Sequence, residues 1–431
     1  MSTSLRIRPA HTLEELRRYV EGYVQVAQSF SPDPLPQDMA SRRLDRLTTL
    51  PAFRPEQVRC AYRDGEYVGG YHIAERRLRV GTARLLTGCI GGVYTLAHAR
   101  EQGVASALMH DAIAYAQAHD YALLLLDGIP KFYHRYGYCD VYDLSVLELD
   151  HAAILALPPG PYRVRQAQLA DASALLALYE RLAGLTPGSF DRSLEQQVHW
   201  QRHLEPERLW LALDAAGGIR GYLFFFGGQA RGPFFLAGTE LWELVADDWP
   251  ATVALLQEQI RRGEAACLYS VPPGSHVARW LVDHLEVVET STWDWPVFGW
   301  AVREQTFQHR DAGWMARLVS LPAVLRAMLL EWQARWQRSL AHWSGDISLL
   351  VGEETFTLRL DGANLNLLDT PLPAVSALTL TPQAFVQAIL GYRPLASLIQ
   401  PTLQPLSHDL ARVLSILFPA GGTWIAPSDW F

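Results

Sequence analysis

The chain has 431 residues and a formal net charge of -8, with 49% hydrophobic and 19% charged residues. That balance excludes a disordered chain and supplies no global positive field for nucleic acid. Cys60, Cys89, Cys139 and Cys267 stand far apart with no CxxC pair, and none of the 14 histidines lies in an HExxH, so neither a disulfide framework nor a metal is expected. The first residues, "MSTSLRIRPAHTLEEL", lack the apolar core of a signal peptide. No apolar run reaches the roughly 18–20 residues of a membrane span. The expectation is a soluble, cytoplasmic protein of two to four domains, at roughly 100–200 residues each.

In chain order, "LRIRPAHTLEELRRYV" (5–20) reads as a short strand and an amphipathic helix, with Leu13, Leu16 and Val20 on helical spacing. In "SPDPLPQDM" (31–39), Asp33 and Asp38 either draw a cation or form an ordinary solvated loop. "RCAYRDGEYVGGYHI" (59–73) is a hairpin signal, two strands around a glycine-bearing turn. "VYTLAHAREQGVASALM" (93–109) reads as a strand, a turn and a helix, and the turn has the form R-x-x-G-x-A. Unpaired N–H groups at a helix start, with the positive end of the helix dipole behind them, can hold an anion. Gly103 would let the backbone approach a phosphate, Ala105 keeps the next position small, and Arg100 adds a cation; an ordinary strand–helix turn is the other reading. His98, beside the turn, is a base, a phosphate contact or a plain surface residue. A buried strand, "YALLLLDG", comes next, and then "KFYHRYGYCDV" (131–141), where Phe132, Tyr133, Tyr136 and Tyr138 surround Gly137.

The pattern then repeats. "YRVRQAQLADASALLALY" (162–179) resembles the first strand–helix segment, and "LWLALDAAGGIRGYLFF" (209–225) resembles the hairpin. With "LPPGP" (157–161) as a boundary, two copies of one β–α–β–β plan are predicted at 1–157 and 160–298. A third, α+β region is predicted at 300–431. Its helix over 321–343 carries Leu325, Met328, Leu329, Trp332, Trp336, Leu340 and Trp343 on one stripe, a core face or a partner face. Three short alternating runs and a helix capped by Thr381 follow.

The R-x-x-G-x-A turn, the buried strand after it and the F-Y-x-x-x-G-[FY] pattern of Phe132, Tyr133, Gly137 and Tyr138 resemble, in that order, the Gcn5-related N-acetyltransferase (GNAT) superfamily. Two such halves followed by a small α+β region, with "GWMARLVSLPAVLRAML" (313–329) and the ending "APSDWF", resemble the enhanced-intracellular-survival (Eis) acetyltransferase family over essentially the whole chain. The fold class so implied is α/β and α+β: two tandem GNAT folds and a small domain similar to sterol-carrier protein 2 (SCP2-like).

The resemblance also implies roles. Acetyl-CoA would lay its pantetheine arm along Val93, Tyr94 and Thr95, and its pyrophosphate on Arg100, Glu101, Gln102, Gly103, Val104, Ala105 and Ser106. Gly128 and Ile129 would line the far side of the cleft. Tyr133 would be the general acid that protonates the CoA thiolate, and the C-terminal carboxylate of Phe431 the general base. An α-carboxylate near pKa ~3.5 is a weak base, so holding the acceptor's ammonium is its other possible role. Tyr136 and Tyr138 would pack the turn. The chain departs from the family in having Ala97, Glu101 and Gln102 where proline and an extra basic residue are frequent. The second half has no such turn, and its Asp247 and Asp248 would repel a pyrophosphate, so it is expected to bind no CoA. The acceptor would be a primary amine: aminoglycoside-like, polyamine-like or a lysine. A homohexamer is expected by the same resemblance, without nucleic acid, membrane or metal. The alternatives are a longer-chain or peptide acyltransferase and a non-catalytic lipid- or CoA-binding protein.

Overall fold

The computed structural model describes residues 4–31, 34–184, 186–228, 239–263, 266–285, 301–307, 311–372, 377–399 and 406–430. They fall into two compact units, Met1–Tyr142 with His309–Thr423, and Asp143–Gln308 with Trp424–Trp430.

The first unit opens with β1 (Leu5–Pro9), α1 (Leu13–Gln28), α2 (Met39–Thr48), β2 (Val58–Arg63), β3 (Glu66–Val80) and β4 (Ala83–Thr95). It continues with α3 (Val104–Ala118), β5 (Leu123–Gly128) and the short β6 (Cys139–Asp140). Thr12 caps α1 by accepting from the Glu15 N–H at 3.2 Å, which fixes where the chain turns from strand to helix. β1 to β4 pair antiparallel in sequence order. β5 lies parallel to β4 on one side and antiparallel to a strand from far along the chain, β14 (Gly313–Leu318), on the other. Flanked by β14 throughout and by β4 as far as Leu125, the four-leucine run of β5 is buried, as a continuous apolar strand should be.

The second unit holds β7 (Leu144–Leu149), α4 (His151–Ala156), β8 (Arg163–Gln166), α5 (Ala172–Leu182), α6 (Leu194–Arg202) and β9 (Leu209–Leu213). β10 (Ile219–Gly228), β11 (Thr239–Ala246), α7 (Trp249–Arg262), β12 (Ala266–Ser270), α8 (His276–His284) and β13 (Val302–Phe307) complete it. The two sheets have matching orders. The first runs β1-β2-β3-β4-β5-β14-β6, and the second, read from its other end, β8-β9-β10-β11-β12-β7-β13. In each, the strand next to the last comes from outside its own run of sequence.

This differs from the boundaries expected at 157–160 and 298–300. Leu144–Leu149 pairs in the second sheet, Val302–Phe307 beside it, and Gly313–Leu318 in the first. "LPPGP" does end α4, but the strand before it has already joined β12 and β13.

The rest of the first unit is α9 (Leu321–Arg338), the strands β15 (Gly345–Val351), β16 (Glu354–Asp361), β17 (Asn364–Leu367) and β18 (Leu378–Leu380), and the helices α10 (Pro382–Ile389), α11 (Leu395–Leu398) and α12 (His408–Leu417). The strands form a four-stranded sheet ordered β17-β16-β15-β18. The α9 stripe is core: Met328, Trp332 and Trp336 are buried, and the Trp332 ring lies 5.5 Å from that of Phe418. The stripe stops with the helix, and Leu340 beyond it is exposed. Buried Glu331 of α9 accepts from both the N–H and the hydroxyl of Thr82, each at 2.7 Å, tying α9 to the β3–β4 turn.

Candidate active site

β4 and β5 pair only from Thr87↔Leu123 to Cys89↔Leu125. Beyond that, residues 90–95 and 126–128 run on without pairing to each other. The parting begins where β4 carries a bulge: Gly70 pairs with Tyr94 but His72 with Gly91, so β4 holds one residue more than β3. Gly92 sits in the bulge at φ +56°, and a Cβ there would meet Tyr19 Oη at 2.2 Å. Tyr19 Oη donates to Gly92 O at 3.1 Å and lies 2.9 Å from His72 Nδ1. A hydroxyl has one proton, so His72 carries its own on Nδ1 and donates to Tyr19. Burial, with Arg43 and Arg46 nearby, holds the His72 pKa down at about 3, so the ring is neutral. Gly92→Ala is expected to lower the unfolding free energy by more than about 1 kcal/mol, because the left-handed backbone and the Tyr19 contact both oppose a Cβ. Urea unfolding measures it.

The R-x-x-G-x-A turn closes one end of this opening. Gly103 is the N-cap of α3 at φ +79°, and no side chain caps the helix there. The N–H groups of residues 101–106 donate to no described residue, so the helix start keeps its donors outward. The turn is braced from behind: Arg63 donates to Gln102 O at 2.8 Å and also to its side-chain oxygen, while Gln102 Nε2 donates to His98 O at 2.9 Å. His98 therefore contributes its carbonyl to the turn. The Arg100 guanidinium lies 5.8 Å from the ring centre of Phe30.

The aromatic turn is fastened to this helix. Tyr136 Oη donates to Ser106 Oγ at 2.8 Å, and Arg317 of β14 donates to Tyr136 O at 2.8 Å. Tyr133, 7% exposed, lies against the end of β5, where a Cβ on Gly128 would meet its ring at 2.8 Å. Its hydroxyl has no hydrogen-bond partner among the described residues. Burial, then the neighbouring Asp127, push its pKa up to about 12. Tyr136 and Tyr138 are buried with it in the core under α3, as expected of packing residues.

The expected residues 93–95, 100–106, 128, 129 and Tyr133 all lie in this unit. Their parts differ. Val93 packs toward the α3 core, while Tyr94 is locked by Tyr67 Oη at 2.5 Å and Tyr19 O at 2.6 Å and pairs with Gly70 of β3. Ile129 is 56% exposed. Asp38 is the N-cap residue of α2 without a capping bond; Asp33 and Phe431 lie outside the described residues. The sequence reading missed the Tyr19–His72 brace and Asp127. The one available signal for the latter was a lone carboxylate ending a run of four leucines.

The second unit has the same strand–helix–strand step, β11–α7–β12, with a different helix start. Asp248 caps α7 by accepting from Ala251 N at 2.9 Å, and Asp247 pairs with Arg181 at 3.0 Å. The carboxylate already occupies the place an anion would take. Trp424–Trp430 are fixed inside this unit. Arg192 and Asp429 form a buried ion pair at 2.8 Å, and Tyr179 Oη donates to Asp429 at 3.0 Å. Ser428 N donates to buried Glu243 at 2.8 Å, and Trp424 Nε1 to Ser270 Oγ at 2.7 Å.

Residues 17–140 match the family model of the acetyltransferase (GNAT) domain. This segment is a GNAT acetyltransferase domain. GNAT domains use an acyl-CoA as donor, which suits the parted strands and the uncapped α3. Among curated proteins none matches the chain. Solved structures share its fold over the full length. A GCN5-related N-acetyltransferase from Kribbella flavida has 18% identity and a TM-score of 0.67, covering 100% of this chain and 99% of that one. One from Anabaena variabilis has 15% identity and a TM-score of 0.67, covering 99% and 100%. Eis1 from Mycobacterium abscessus has 15% identity and a TM-score of 0.58, covering 98% and 99%. Among the described residues no group of side chains suits a metal ion, and no helix is long and apolar enough to cross a membrane.

Proposed function

We propose that the protein moves an acetyl group from acetyl-CoA to a primary amine by direct attack in a ternary complex. The observation that carries this is the hydrogen bond from Tyr136 to Ser106, which couples the uncapped start of α3 to the turn bearing Tyr133. A pyrophosphate on the first and a thioester near the second would belong to one extended ligand lying where β4 and β5 part. Tyr133 is the general acid for the departing thiolate. The C-terminal carboxylate of Phe431 serves as base or as anchor for the acceptor's ammonium. The acceptor is aminoglycoside-like, polyamine-like or a lysine side chain.

The second unit, with Asp248 on its helix, acts as a GNAT-like half without CoA, and the small sheet of β15 to β18 with its helices is SCP2-like. The full-length likeness in fold to Eis1 supports this tandem reading. A cytoplasmic homohexamer is the assembly proposed with it.

Thiol release from acetyl-CoA across a panel of polyamines, aminoglycosides and lysine peptides tests the reaction. One residue added after Phe431 moves the carboxylate by about 3.3–3.6 Å of extended chain. It is expected to reduce turnover at least tenfold with acetyl-CoA binding retained. Full activity of the extended chain would remove the terminal carboxylate from the mechanism.

A further inference from the structure

Asp127 is the exposed residue of β5, a strand whose other members are buried. It stands two residues beyond Leu125, the last residue of β5 paired to β4, so it lies where the strands have separated. Leu124 and Leu126 face the core under α3, and strand alternation turns Asp127 to the opposite face. His72 shares that face. Its neighbours Tyr71 and Ile73 point into the α3 core, and it is braced by Tyr19 of α1. A pyrophosphate at the start of α3 would leave this opposite face open to a second substrate.

The Asp127 carboxylate has no hydrogen-bond or ion-pair partner among the described residues. Its side chain is exposed at the point where β4 and β5 have parted. Desolvation is the cause that pushes its carboxyl up to about 7. On the α3 side of β5, three charged or titratable groups are engaged elsewhere. Arg317 of β14 is on Tyr136 O, Asp111 of α3 is paired with Arg59 at 2.8 Å, and His110 of α3 lies edge-on to the Tyr136 ring. Tyr133 is the titratable group on which the Asp127 charge acts.

We propose that Asp127 accepts the proton of the attacking amine. This rests on the acetyl-transfer reading above, and it leaves the Phe431 carboxylate the role of ammonium anchor. The steps balance. The ammonium gives one proton to the Asp127 carboxylate, which passes it to solvent on its exposed side. The nitrogen lone pair forms the N–C bond at the thioester carbonyl, and the C–S bond breaks. The thiolate takes the Tyr133 proton, and the second proton of the nitrogen replaces it on the tyrosine oxygen. The products are the amide, the free CoA thiol and one proton. A base must be unprotonated, so kcat/KM should rise with pH through a midpoint near 7.

The test measures thiol release with the amine panel at pH 5.5 to 9, and acetyl-CoA affinity by calorimetry. Asp127→Asn is expected to lower kcat by ~10²–10⁴-fold, to abolish the limb near pH 7 and to leave acetyl-CoA affinity unchanged. Asp127→Glu should recover part of the rate. If Asp127→Asn keeps the wild-type rate and pH limb while Tyr133→Phe is impaired, the Asp127 proposal is wrong and the transferase reading stands. If the wild-type protein releases no thiol with any amine, the transferase reading falls, and the proposal with it.

Discussion

Tyr133→Phe is expected to lower kcat for thiol release by ~10²–10⁴-fold, the usual contribution of a positioned general acid. Acetyl-CoA affinity should stay within about twofold, because the change removes one oxygen and leaves a ring packed at the end of β5. Tyr133 is held protonated up to about pH 12 by burial and by Asp127, so the proton is in place across the working range. A thiol near pKa ~8.5 is a stronger acid than this phenol, so the transfer is uphill in isolation. In the proposed mechanism it becomes favourable overall because the nitrogen's second proton would return to the tyrosine as the amide forms. Single-turnover kinetics with calorimetric binding separates the two effects. An unimpaired Phe variant would mean that the thiolate departs without protein help.

Arg192→Ala carries the largest expected change in stability. Its pair with Asp429 leaves the two side chains only 7% and 3% exposed. Removing the guanidinium strands the carboxylate beside Tyr179, which costs about 3–5 kcal/mol. Against a typical unfolding free energy of about 5–15 kcal/mol that is a large share. An exposed pair such as Arg279–Asp283, at 80% and 50% exposed, is worth no more than about 1 kcal/mol. Urea unfolding should separate the two classes clearly, and hydrogen exchange should show the loss concentrated at Trp424–Trp430. Arg192→Met combined with Asp429→Leu should recover much of the loss, since the pair's cost lies in leaving one charge alone. Equal stability of Arg192→Ala and wild type would refute this account of how the chain end is held.

The parts of the site that local chemistry dictates were legible in the sequence. R-x-x-G-x-A between a strand and a helix announced a helix start without a side-chain cap, and the four-leucine run announced a strand covered on both sides. The position of Tyr133 against the end of β5 was legible because its turn follows that run directly. What stayed hidden depends on partners distant in sequence. Nothing near Gly92 reveals that Tyr19 and His72 brace it, and nothing near Leu144 shows that its strand pairs with residues 268 and 269. Proline–glycine punctuation marks where a helix stops, whereas strand exchange is decided by pairing energies across whole sheets. Asp127 was overlooked because periodicity assigns a strand's last polar residue to the turn after it.

The exchanged strands have a consequence for how the protein is made. During synthesis, β5 and β6 emerge long before Gly313–Leu318, the strand that belongs between them. At about 5–20 residues per second the first sheet waits roughly 10–35 s with that slot vacant. In that interval two strand edges are bare, a state prone to mispairing. β7 meanwhile leaves the ribosome early and must wait for β12 and β13. The first sheet thus depends on a strand translated after every strand of the second, and its closure is a non-local, late event. The first unit therefore closes its sheet only after all the strands of the second unit have been made.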